Sequence, residues 1–240
     1  PVIYIVQRFT LLSALFYFIF ISFYLHVRCK SNKGYLEVVT AIVGLSMIML
    51  FAWFSKQNAA SLLLIPFIIE IFLFKNKKVI KYGKIGIYIA VLTAIYLYFT
   101  GFHQSDLYLA LDRASRETDL ISRTDYFLAQ LSVLWIYIGK FLIPLNLRLE
   151  YSIFTNEFSS WVTFISAFGH VALISVALLV RKNITLFSLS VFLFYIGHSV
   201  ESGIIPIRDL AFEHRTYIPN LGLSLAFGFI VFMVLEKFSL

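Results

Sequence analysis

Residues 128–145, LAQLSVLWIYIGKFLIPL, decide how this chain is threaded. The stretch is apolar, but Gly139 and Lys140 interrupt it and Pro144 ends it. Other apolar runs surround it, at 9–27, 36–54, 59–74, 85–102, 161–180, 184–197 and 218–235. A helix needs about 20 apolar residues to cross a roughly 30 Å hydrocarbon core. These runs read as spans, and they lack the alternation of barrel strands. The composition agrees: 60% of residues are hydrophobic, 18% aromatic and 14% charged, where a soluble domain carries about 25% charged residues.

Charge sets the orientation. Arg28, Lys30 and Lys33 follow the first run. Lys75, Lys77, Lys78, Lys81 and Lys84 stand between the third and fourth with no acid among them, and Arg181–Lys182 link the sixth and seventh. Short basic links belong on the cytoplasmic side. All three can be there only if 128–145 does not cross. The expectation is therefore an all-α, polytopic helical transmembrane bundle, one domain over 1–240. It has about seven full spans and one re-entrant or interfacial segment facing outward. Residues 103–160 form an external loop that carries this interfacial helix, and 198–217 form a second external charged loop. Gln7–Arg8 and SKQN (55–58) share their side. This places the protein in a bacterial inner membrane with its functional face periplasmic, or lumenal in a eukaryote. The opening at Pro1, already span-like, reads as a fragment of a longer protein.

The net charge of +7 clusters beside spans, which speaks against a nucleic-acid partner and for the lipid bilayer. One cysteine, Cys29, excludes a disulfide framework. The sequence carries no phosphate-binding glycine loop, nucleophile elbow or zinc signature. No cofactor is implied and a divalent cation is left open; His198 and Glu201 in H-x-x-E spacing are a weak signal for one.

The candidate chemistry lies in ESGIIPIRDLAFEHRTYIPN, residues 201–220. A short helix is expected between Pro206 and Pro219, with Asp209 and Glu213 on one face. Glu201, Glu213 and His214 are the candidate acid–base groups, because a carboxylate or imidazole can take a proton from an attacking hydroxyl. Arg215 and Arg208 are candidates to hold a phosphate, since a guanidinium binds one bidentately. Lys56, Gln57, Arg8 and Tyr217 complete the candidate binding set at the outer span ends. The plain alternatives are a solvated loop with ordinary ion pairs, a snorkelling Lys56 and an interfacial Arg8. Lys140 and Arg148 suit lipid phosphates at headgroup depth. Glu70, inside an apolar run, is expected to reach Lys75 or Lys77 or to take an internal bond.

YIVQRFTLLSALFYFIFISFYL, SKQNAASLLLIPFIIEIFLF, YFLAQLSVLWIYIGKFLIPLNLRLEY and ESGIIPIRDLAFEHRTYIPNLGL together resemble bacterial polytopic proteins with C-terminal tetratricopeptide repeats. These are similar to GT-C superfamily glycosyltransferases and to the cadherin-directed transmembrane O-mannosyltransferases. The resemblance covers nearly the whole chain and is most specific at its FEHR-Y-P core. It implies a GT-C-like fold, a polyprenyl-phosphate sugar donor, inversion at the anomeric carbon, and a protein or glycan acceptor or membrane-complex partners. It also implies that an acidic residue serving as catalytic base lies in an external loop before Pro1. The family pairs Lys with Glu where this chain has Lys56–Gln57, which favours an inactive scaffold or accessory subunit as the alternative.

Overall fold

The computed structural model describes residues 7–30, 34–101, 104–148, 150–151, 153, 155–203 and 205–238. His103, of the loop expected to be external, lies outside them. The described residues form α1 (Arg8–Cys29), α2 (Tyr35–Ser55), a 3-10 stretch (Gln57–Leu64) leading into α3 (Ile65–Phe72), α4 (Lys77–Phe99), α5 (Asp106–Ala114), α6 (Arg123–Leu142), α7 (Ser160–Val180), α8 (Thr185–His198) and α9 (Asn220–Phe238). The only strand pair among them joins β1 (Glu150–Tyr151) antiparallel to β2 (Ala211–Phe212). The protein is all-α. Helices α1, α2, α4, α7 and α9 are long and apolar enough to cross a membrane, which fits an integral membrane protein.

Local chemistry explains the boundaries. Asn76, Ser122 and Ser159 cap α4, α6 and α7 by accepting first-turn N–H groups. Pro66 stands in the first turn of α3, where its missing N–H costs no helical bond. The 3-10 stretch before it rises about 2.0 Å per residue, so 57–72 reaches about 28 Å. Beyond the end of α6, the Lys140 ammonium donates to the carbonyl oxygens of Leu145 and Asn146.

Packing is closest between α8 and α9. A Cβ on Gly222 would lie 2.5 Å from the Ser190 carbonyl oxygen and 2.6 Å from the Phe194 nitrogen. Only a glycine lets the two backbones meet there, the small-residue device of membrane helices. One core gathers Tyr17, Phe20, Leu62, Ile65, Ile69 and Leu193 between α1, the 57–72 segment and α8. A second gathers Tyr126, Val133, Tyr137, Phe194 and Leu210 between α6, α8 and the 201–217 connection. His170 of α7 joins these helices. The Leu131 carbonyl can only accept, so Nε2 donates to it at 2.8 Å and Nδ1 accepts from the Tyr195 hydroxyl at 2.8 Å. The Trp135 ring stacks on the imidazole at 4.9 Å.

Of the two alternatives expected for Glu70, the internal bond is the one it makes. Its carboxylate takes Arg28 Nε at 2.5 Å, Asn76 Nδ2 at 2.7 Å and the Tyr24 hydroxyl at 3.0 Å, rather than a lysine. Arg28 reaches it because α1 and α3 run side by side to the same end of the bundle, and the Phe74 ring covers the guanidinium at 4.3 Å.

Within segment 128–145, α6 is continuous through Gly139 and Lys140 to Leu142. Its whole length follows the 201–213 connection. The Tyr126 hydroxyl donates to the Glu201 carbonyl, Gln130 Nε2 to the Leu210 carbonyl, and the Phe212 N–H to the Tyr137 hydroxyl. The chain after α6 returns to the same place, where β1 pairs with β2. Both ends of α6 therefore meet one connection.

Gly222→Val should lower the thermal stability of detergent-solubilised protein by the equivalent of about 1–3 kcal/mol, the range for overpacking. Gly228→Val, in the same helix with nothing within 4 Å of the added carbon, should leave it unchanged.

Candidate functional site

The expected helix between Pro206 and Pro219 does not form. Residues 211–212 are extended and 213–216 make a single 3-10 turn. Pairing with β1 and the Phe212–Tyr137 bond satisfy the backbone there, and they hold it out of a helix. Asp209 and Glu213 consequently share no helical face.

Glu201 is buried at the end of α8. Lys56 Nζ lies 2.5 Å from its Oε1, and Asn58 Nδ2 donates to its Oε2 at 3.4 Å. Ser13 of α1 donates to Asn58 Oδ1 at 3.2 Å, extending the chain of bonds into the first helix. The hairpin between α2 and α3 thus packs on the 201–217 connection through charge-assisted bonds.

Two clefts open beside this cluster. The first, of about 640 Å³, is polar and includes Lys56, Gln57, Arg116, Glu117, Glu201 and His214 in its lining. The second, of about 580 Å³, runs between α6, α9 and α1 and includes Phe18, Phe141, Leu147, Tyr217, Leu221 and Glu213. Gln7 and His214 line both, so the clefts adjoin there. Asn220 also lines the second; its Oδ1 is buried without a hydrogen-bond partner among the described residues, leaving an acceptor to be satisfied.

The sequence candidates divide accordingly. Lys56, Gln57, Glu201 and His214 meet at the polar cleft, while Glu213 and Tyr217 reach the apolar one. Arg208 and Arg8 are exposed and line neither. Arg215 is only 4% exposed and also lines neither. It donates to the Leu210 carbonyl at 3.4 Å, covers the Phe212 ring at 5.0 Å and lies beside Tyr126 and Tyr137. Among the described residues it has no ion pair, so its charge is felt through the field. Glu213 is engaged: the Tyr151 hydroxyl and the Arg148 N–H donate to its Oε1 at 2.5 and 2.6 Å. His198 is buried against the Tyr137 ring at 5.2 Å and does not share a ligand with Glu201. Among the described residues no three His, Cys, Asp or Glu side chains gather as a metal site.

The residue missed in the sequence is Glu117. It comes from the polar loop between α5 and α6, where it looks like one charge among many. Its N–H donates to the Pro206 carbonyl at 3.1 Å, pinning the loop to the 201–217 connection. Asp112 holds the loop's shape, pairing with Arg116 at 2.6 Å and Arg123 at 2.5 Å. Glu117's own carboxylate has no hydrogen bond or ion pair among the described residues. No spacing rule links position 117 to position 201, so only the fold reveals it.

Burial, and then the charges of Lys56 and Arg215, push the His214 imidazole down to about 3. It is neutral at pH 7 and can donate one hydrogen bond and accept another. An unfolded histidine titrates near 6.5. The unfolded chain therefore binds a proton that the fold refuses, and stability present above about pH 6.5 is lost as pH falls toward about 3. His214→Gln should flatten the decline in melting temperature between about pH 7 and about pH 5 relative to wild type. Thermal unfolding in buffered detergent across that range checks it. Comparison with models of protein families, with curated proteins and with solved structures finds no match to this chain, so its reading rests on these residues.

Proposed function

We propose that this chain is the membrane part of a GT-C-like glycosyltransferase. It takes a sugar from a polyprenyl-phosphate carrier and transfers it to a protein or glycan acceptor on the periplasmic or lumenal face of the membrane. The observation that carries the reading is the junction of an apolar cleft and a polar cleft at His214, beside the cations Lys56 and Arg215. An apolar tail, an anionic middle and a polar head suit that sequence of environments.

Orientation is part of the proposal. Seven spans cross, counting 57–72 and the short α8, and α6 stays on the outer side. The support is that both ends of α6 meet the 201–213 connection. In a protein whose Cys29 is replaced by Ser, single cysteines at Ser122 and Leu145 should react from one side of the membrane. Cysteines at Lys78 and Lys182 should react from the other. Opposite labelling of Ser122 and Leu145 would make α6 a crossing helix.

In the transfer step an acceptor hydroxyl oxygen bonds to the anomeric carbon. The bond from that carbon to the carrier phosphate breaks, and the phosphate leaves with the electron pair. The hydroxyl proton must go to a base. Glu201 is engaged by Lys56, Glu213 is engaged by Tyr151, and a His214 with a value near 3 is a weak base. Glu117, unpaired in the polar cleft, is the group suited to accept it. With a polyprenyl-phosphate hexose as donor, Glu117→Gln should lower turnover by about 10²–10⁴-fold and leave donor-analogue affinity near wild type. Unchanged turnover would remove Glu117 from that role.

The engagement of Glu201 and Glu213, together with Gln57 in the polar cleft, favours a second reading. In it the chain is an inactive scaffold or accessory subunit that keeps the lipid-phosphate site. Donor-analogue binding with no transfer by wild-type protein would select it.

A further inference from the structure

The opposite end of the bundle from His214 carries a feature that no ion pair accounts for. Lys75, Lys77, Lys78, Lys81 and Lys84 are all exposed, and none has an ion pair among the described residues. No Asp or Glu occurs from 71 to 105. The nearest acid, Glu70, is occupied by Arg28, Asn76 and Tyr24. Five charges are thus held close together at the start of α4 with no counter-charge from the described protein.

Their placement on the helix matters. Lys77, Lys81 and Lys84 recur at i, i+4 and i+7, so they form a stripe on one face, about 10 Å long. None of the described α4 residues is buried. Cβ atoms on Gly83 and Gly86 would meet nothing within 4 Å, so the backbone beside the stripe is bare. The apolar part of α4, residues 85–99, reaches only about 22 Å against a core of roughly 30 Å. Lys81 and Lys84 therefore stand at or just inside the headgroup boundary, where their stems lie along lipid and their ammonium groups turn toward phosphate. The positive end of the α4 dipole adds to the same field.

We infer that the first two turns of α4 are a binding site for anionic phospholipid headgroups in the leaflet on the Arg28–Glu70 side. Lys77, Lys81 and Lys84 take the phosphate, and the bare surface at Gly83 and Gly86 admits the glycerol and upper chain. This site is separate from the clefts at His214 and does not depend on the proposed transfer activity.

The test uses the full chain in bilayers of phosphatidylcholine with about 30% phosphatidylglycerol, with lipids retained on the released protein counted by native mass spectrometry. Wild type should retain phosphatidylglycerol about tenfold beyond its bilayer ratio, since each basic residue at the surface adds attraction. The K77Q/K81Q/K84Q variant should lose most of that enrichment, while R181Q/K182Q, on another basic link, should keep it. Equal enrichment in K77Q/K81Q/K84Q and wild type would overturn the site. So would an equal loss in R181Q/K182Q, which would mean general attraction to basic links. Should the triple variant fail to insert, wild type still decides. Enrichment should fall at about 0.5 M salt, where exposed charges are screened, and enrichment that survives would also overturn the assignment.

Discussion

The Glu201 carboxylate is the contact on which the cleft-bearing end of the molecule depends. It draws Lys56 and Asn58 from the hairpin after α2, and through Asn58 it reaches Ser13 of α1. Its own carbonyl receives the Tyr126 hydroxyl of α6. Parts of the chain as far apart as Ser13 and Glu201 are joined through this one residue. A buried carboxylate is costly unless it is paired and hydrogen-bonded, and this one is both. Loss of either partner would leave a charge stranded beside the clefts, so the geometry of those clefts is coupled to this pair.

That coupling explains the character of the site. Glu201 is committed to Lys56 and Arg215 has no ion pair among the described residues, so burial, and then the charges of Lys56 and Arg215, hold His214 neutral. A neutral imidazole and a committed carboxylate make a better binding surface than an acid–base pair. The carboxylate left unpaired in the polar cleft belongs to Glu117, delivered by a loop whose shape Asp112 fixes through two arginines. In the proposed transfer, binding and proton acceptance fall to different segments of the chain.

The opposite end has its own lock. Arg28, Tyr24 and Asn76 converge on Glu70 and tie α1, α3 and the start of α4. It consumes the acid nearest the lysines of α4 and leaves those lysines unpaired among the described residues. The two ends are therefore complementary in design: carboxylates clamp helices at both, and the cations each leaves over face outward at one and inward at the other.

The sequence by itself determined the class and the inventory. Apolar runs of span length need no tertiary information, because the bilayer sets their length, and five of them are helices long enough to cross. The polar residues that gather at the clefts, Lys56, Gln57, Glu201 and His214, were also legible, because charges at span ends are rare enough to be noticed. Partnerships were not. For Glu70 the sequence left a neighbouring lysine and an internal bond both open, and the fold gave it Arg28, 42 residues away, since helix packing and not spacing decides which cation is near. Asp209 and Glu213 fit helical spacing, but strand partners 60 and 62 residues upstream pulled the segment straight. Arg215 looked like an accessible phosphate ligand and is sealed behind aromatic rings. Glu117 carried no local signal at all. A sequence lists groups and local periods; which of them are desolvated, paired or left free depends on contacts between distant segments, and only the tertiary structure makes those.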